Sequence, residues 1–136
     1  MTQLMEKKSS SSVKENMEAY FNTHDVSYVA EDGIFINMAT GDRSQGREAV
    51  GELLHYFYNV AFDAKAEIKN LIITEDKALM EANFKGTHIG EFAGISPTHK
   101  DVNVPLCVTY EIENGLITEA RIYLLLNILM EQLTSK

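Results

Sequence analysis

The stretch from Ala78 to Ile89 narrows the folds open to this chain more than any other. Met80, Ala82, Phe84, Gly86 and His88 alternate along it with Leu79, Glu81, Asn83, Lys85 and Thr87. Side chains of an extended strand point to opposite faces in turn, so each set shares one face. The first set is apolar apart from its histidine and must look inward, while the second is mostly polar. A long strand buried on one face needs helices or a second sheet over that face.

Helical spacing supplies them. Val13, Met17, Tyr20, Phe21 and His24 fall on one stripe, preceded by Ser12 and Glu15 in a capping-box arrangement. That spacing predicts a helix over 13–23. Asp25 fits the cap of a short second helix over 26–30. Val50, Leu53, Leu54, Phe57 and Ala61 mark a longer helix over 47–61. Strands are expected over 34–38, 64–74, 78–89, 102–113 and 116–126, with a polar loop over 40–46 and a tail helix ending near Leu133. Asn114-Gly115 is a hairpin signal between the last two strands. Helices followed by a meander of long strands give the α+β class: a curved antiparallel or mixed sheet packed on N-terminal helices around an apolar pocket. The organisation expected is a flexible tail over 1–11 and one domain over 12–136.

Several functions are disfavoured by composition. A formal net charge of −8 over 136 residues repels phosphate backbones and anionic lipid, so no nucleic acid or membrane partner is expected. No run approaches the ~18 apolar residues of a membrane span, and the start of the chain lacks a signal-peptide core. A cytoplasmic protein is the expectation. Cys107 is the single cysteine and reads as a small buried hydrophobe. His24, His55, His88 and His99 show no metal-ligand spacing, and there is neither a phosphate loop nor a G-x-S-x-G elbow. No cofactor and no metal are expected.

The segment Gly86-Thr87-His88-Ile89-Gly90-Glu91-Phe92-Ala93-Gly94-Ile95-Ser96-Pro97-Thr98-His99-Lys100 resembles the G-T-H-x-G-E-F-x-G-I-x-P-T-G-K segment of SnoaL-like polyketide cyclases and ester cyclases. Tyr20 to Asp25, Ala61-Phe62-Asp63, Tyr110 to Ile117, Arg121-Ile122-Tyr123 and Gln132-Leu133 agree with the same family in order and spacing. The resemblance spans about residues 13–133. It implies a nuclear-transport-factor-like cone, a homodimer, and a cavity that binds a small hydrophobic, carbonyl-bearing ligand. In the cyclases, a proton leaves the carbon beside a carbonyl and the enolate closes a ring.

The resemblance also points to site residues. It implies a pocket histidine at His88, and an R-x-Y-x-D pattern on the last strand of which Arg121 and Tyr123 are present. The family aspartate falls on Leu125. His88, Arg121 and Tyr123 are therefore the candidate catalytic groups, and Tyr28, Asn37, Phe57, Phe84 and Leu125 the candidate ligand contacts. Each has a structural alternative: a satisfied core histidine for His88, an ion pair with Glu119 or a helix residue for Arg121, strand-end capping for Asn37, core packing for the aromatics. His24-Asp25 reads as a helix-end cap rather than a proton relay, and His99 stands where the family has glycine.

Enolisation needs a base beside the carbon it deprotonates. With leucine at 125, three readings stand. The first is a cyclase- or isomerase-type enzyme whose base is His88, Asp32 or Glu91. The second is a noncatalytic protein that binds a small hydrophobic ligand. The third is a scaffold whose dimer surface is its function.

Overall fold

The computed structural model describes residues 10–135, so the expected tail over 1–11 lies outside them except for residues 10 and 11. Helix α1 spans Ser10–Thr23, starting earlier than the capping box suggests, and buries Val13, Met17 and Tyr20. Asp25 then accepts the Ser27 N–H at 2.9 Å and caps a 3-10 turn, Val26–Tyr28. The short helix expected over 26–30 stops there because Val29 is already in strand β1, Val29–Asn37, paired with Ile117. Sheet pairing overrides the local preference. Strand β2, Arg43–Gln45, lies in the region read as a loop; it is three polar residues paired to the edge of β1, too short for alternation to show.

Helix α2, Arg47–His55, runs into a π-helical turn, Tyr56–Val60, closed by the Ala61 N–H donating to the Tyr56 carbonyl at 2.8 Å. That extra residue per turn lets the adjacent Phe57 and Tyr58 both face inward. Strands β3 (Phe62–Ile73), β4 (Lys77–His88), β5 (Asp101–Glu113) and β6 (Leu116–Leu124) follow, and helix α3 (Leu126–Thr134) ends the described chain. The sheet order is β2-β1-β6-β5-β4-β3, antiparallel throughout except for the parallel β1–β6 pair. Asn114 and Gly115 both adopt left-handed φ, 54° and 78°, as the β5–β6 hairpin requires.

One face of this curved sheet carries the core. Met80, Ala82, Phe84 and His88 of β4, the even-numbered residues from Val102 to Ile112 of β5, and Ile117, Ala120 and Leu124 of β6 are buried. Helix α3 buries Leu129 and Leu133, and its Gln132 amide bonds the free N–H and C=O of Asn103, both at 2.9 Å. It thereby finishes an unpaired stretch of β5. None of the described helices is long and apolar enough to cross a membrane.

The glycines of the G-T-H-x-G segment have a packing reason. A Cβ on Gly86 would lie 2.2 Å from the Asp63 carbonyl oxygen and 2.5 Å from Ala64 Cα. One on Gly90 would lie 2.3 Å from the Val60 oxygen. The backbone of β4 and its exit press directly on the chain leaving the π turn. His99, at the family glycine position, holds φ at 60°.

Candidate functional site

Between α1, the end of α2 and the inner face of the sheet lies a cavity of about 70 Å³. Leu53, Leu54, Phe57, Phe84, Leu106, Val108, Ile122 and Leu124 make most of its wall. Its polar edges come from Tyr20 and His24 of α1 and its exit, Asn37 of β1, Tyr58 of the π turn and Tyr110 of β5. Among the described residues, no Asp, Glu, Lys, Arg or Cys lines it.

Of the candidate ligand contacts, Phe57, Phe84 and Asn37 are on this wall. Asn37 also caps a turn, its Oδ1 accepting the Ala39 N–H at 2.9 Å. Tyr28 is not on the wall; it packs half-buried against the core as the last residue of the 3-10 turn.

The last strand requires a larger correction. Arg121 and Tyr123 do share a face, but it is the outer one, because Ala120, Ile122 and Leu124 take the inner positions. Arg121 bonds the carboxylates of Glu119 at 2.5 Å and Glu111 at 2.7 Å. The Glu119 pair is the structural alternative read from sequence, and Glu111 is added by the neighbouring strand. Lys77 and then Arg121 hold the Glu111 carboxyl below the usual range. Tyr123 is 43 % exposed, and Leu125 is 44 % exposed as the residue capping α3. Leu125 does not line the cavity, and an aspartate there would stand on the outer surface. Asp32 and Glu91 are also exposed and off the wall.

His88 is fully buried yet does not line the cavity. Its Nδ1 accepts the Thr98 N–H at 3.0 Å and lies 2.9 Å from Thr98 Oγ1, which assigns the ring proton to Nε2. Nε2 has no partner, and the ring packs on Phe62 with centroids 5.3 Å apart. With its N–H on the Lys100 carbonyl and its C=O on the His99 N–H, His88 pins both ends of the 89–100 loop. The core-histidine alternative describes this geometry, except that one ring nitrogen lacks a partner.

Sequence reasoning set His24 aside as a helix-end cap and Tyr58 as core packing, and gave no site role to Tyr20 or Tyr110. His24 follows α1 with φ at 55° and its N–H on the Tyr20 carbonyl at 2.6 Å. A non-glycine residue seldom takes this conformation. Its ring lies 4.6 Å from that of Tyr58 and 5.5 Å from that of Tyr20, centroid to centroid. Burial lowers the imidazole pKa, so the neutral ring dominates at neutral pH. Burial also pushes the Tyr58 phenol up to about 12 and raises those of Tyr20 and Tyr110. All three stay protonated. The available signal was the stripe Tyr20–His24, one helical turn apart on the buried face.

The frame of helices over a mixed curved sheet with an interior cavity defines an α+β cone of the ketosteroid-isomerase-like type. The chain matches the family model of the SnoaL-like polyketide cyclases over residues 11–133, and it belongs to that family. Among solved structures it is similar to a protein from Jannaschia sp. CCS1 assigned to the SnoaL-like polyketide cyclases. Their identity is 15 %, the TM-score 0.83, and 96 % of each chain is covered. TsrD from Streptomyces laurentii aligns at 22 % identity and TM-score 0.73, over 91 % of this chain and 93 % of that one. A protein of ketosteroid isomerase-like fold from Catenulispora acidiphila, solved with trimethylamine, aligns at 18 % identity and TM-score 0.69, covering 88 % and 90 %. A sequence search of curated proteins found no match.

Proposed function

We propose that this chain binds a small apolar molecule bearing a carbonyl in its interior cavity, and does not cyclise polyketides from an acid at the end of β6. The carrying observation is the wall: apolar side chains interrupted by the phenols of Tyr20, Tyr58 and Tyr110. Apolar walls favour an apolar body, at about 25 cal/mol per Å² buried. Phenol O–H donors on that wall favour a ligand that brings an acceptor oxygen. Size supports the same reading. At roughly 30 Å³ per water, 70 Å³ holds a few solvent-sized groups, whereas pockets for drug-sized ligands measure about 300–1,000 Å³.

Thermal denaturation with acetone and with cyclopentanone, alongside saturation-transfer NMR, tests this. At ten times the Kd, stabilisation of about 1.4 kcal/mol is expected. Flat melting curves without saturation transfer from either ketone would remove the reading.

A homodimer built on the outer face of the sheet belongs to the same proposal. Ile72 (61 % exposed), Tyr123 and Leu125 leave apolar surface there, joined by the half-buried Leu79 and Cys107. Tyr123→Glu is expected to shift the protein from dimer to monomer in sedimentation velocity without changing its circular dichroism. A wild-type monomer at every concentration would exclude the dimer.

A further inference from the structure

We propose that His24 is a general base of this cavity: its imidazole takes a proton from the carbon beside a bound carbonyl, while a phenol of the Tyr20–Tyr58–Tyr110 cluster holds the enolate oxygen. The inference rests on the ligand reading above and adds chemistry that reading does not require.

Four observations carry it. His24 is the one side chain on the wall, phenols apart, that titrates in water. Neither of its ring nitrogens has a hydrogen-bond partner among the described residues, and neither is sealed from open space. The same ring also lines a second, more polar cleft of about 300 Å³, together with Asn22, Thr23, Asn59 and Lys65. It therefore stands between the inner cavity and an outlet. Finally, its left-handed backbone is held in place by the Tyr20 carbonyl, a conformation that costs about 1–2 kcal/mol in a residue with a Cβ.

The step balances on groups already present. The C–H bond beside the carbonyl breaks and its proton passes to the free imidazole nitrogen. The electron pair moves to the carbonyl oxygen, where a phenol O–H donates to it. Protons on the imidazolium exchange with water through the outer cleft, and the carbon is reprotonated from the same nitrogen. Nothing is oxidised or reduced. The groups facing the ring are Tyr20 from α1, Tyr58 from the π turn and, across the cleft, Lys65 from β3. Asp25, next in the chain, is engaged by the Ser27 N–H.

The test is α-proton exchange of acetone and cyclopentanone in D₂O, followed by proton NMR, with binding read by saturation transfer. The wild type should speed exchange about 100-fold over buffer, as general bases do. His24→Asn keeps a residue tolerant of left-handed φ; it should still bind ketone but exchange at the buffer rate. The wild-type rate should also fall as pH drops through the imidazole midpoint, which burial holds below its usual 6.5. This readout stands even where the variant misfolds. Ketone binding without acceleration, undiminished exchange by His24→Asn, or a rate indifferent to pH would overturn the inference and leave the ligand reading intact. No ketone binding at all would remove both.

Discussion

Replacing Gly86 with alanine is expected to destabilise the protein by about 3 kcal/mol, read as a fall of roughly 10 °C in Tm. The added methyl would meet the Asp63 oxygen at 2.2 Å and Ala64 Cα at 2.5 Å. Both are backbone atoms, so no rotamer change relieves the clash. Relief requires β3 to move away from β4 along the pairing Ala64↔Gly86. That displaces Phe62, whose ring packs on Phe84, His88 and Phe92. Gly41→Ala is the control: its φ is 83°, but nothing lies within 4 Å of the new methyl. Only the conformational cost of about 1–2 kcal/mol applies there. Equal losses at both positions in denaturant titrations would show that the close approach at Gly86 is not what that glycine serves.

The same glycine shows why the fold was largely legible in the sequence. A family motif and an alternation pattern converge on β4, and the strand runs Lys77–His88 within a residue of where both place it. Stripes at helical spacing located α1 and α2, and Asn114-Gly115 located the hairpin. What stayed hidden was decided by tertiary pairing. Val29 to Gly33 carry no clear period of their own; β6 pairs with Val29 and again from Ile34, with a register irregularity between them. The π turn needs one inserted residue, which no local propensity announces.

Site residues on β6 were misplaced for a different reason. Alternation put Arg121, Tyr123 and Leu125 together correctly; the resemblance turned that set inward. Yet the competing set, Ala120, Ile122 and Leu124, is uniformly apolar, and burying it leaves the guanidinium where Glu111 and Glu119 reach it from solvent. Desolvating an arginine without a cavity carboxylate costs several kcal/mol. Physical patterning alone favoured the observed face. His24 was overlooked because a histidine at a helix end has an adequate capping explanation. Only the three-dimensional structure shows its ring beside Tyr58 on the cavity wall. The chemistry available to this chain thus moves from the end of β6 to the exit of α1.

Phe84→Ala is expected to have the largest effect of any single cavity substitution, about 3–5 kcal/mol of lost stability. The ring is 2 % exposed and packs on Phe57, Tyr58 and Phe62 at centroid distances of 6.4, 5.4 and 5.3 Å. Among the described ring pairs, no other wall residue packs on rings of both the π turn and β3. Its removal opens space continuous with the existing 70 Å³. A mostly apolar cavity enlarged in this way offers room for benzene, as engineered cavities of about 150 Å³ do. Benzene should therefore raise the Tm of Phe84→Ala by more than it raises that of the wild type. Cyclohexanone should follow benzene and add a hydrogen bond from the phenol cluster. If benzene stabilised both proteins equally, the wild-type walls would already open for a six-membered ring, and the size limit would lie elsewhere. If it stabilised neither, the neighbouring rings would have collapsed into the gap. In the expected case, the phenyl ring at 84 sets the upper size of what enters beside His24.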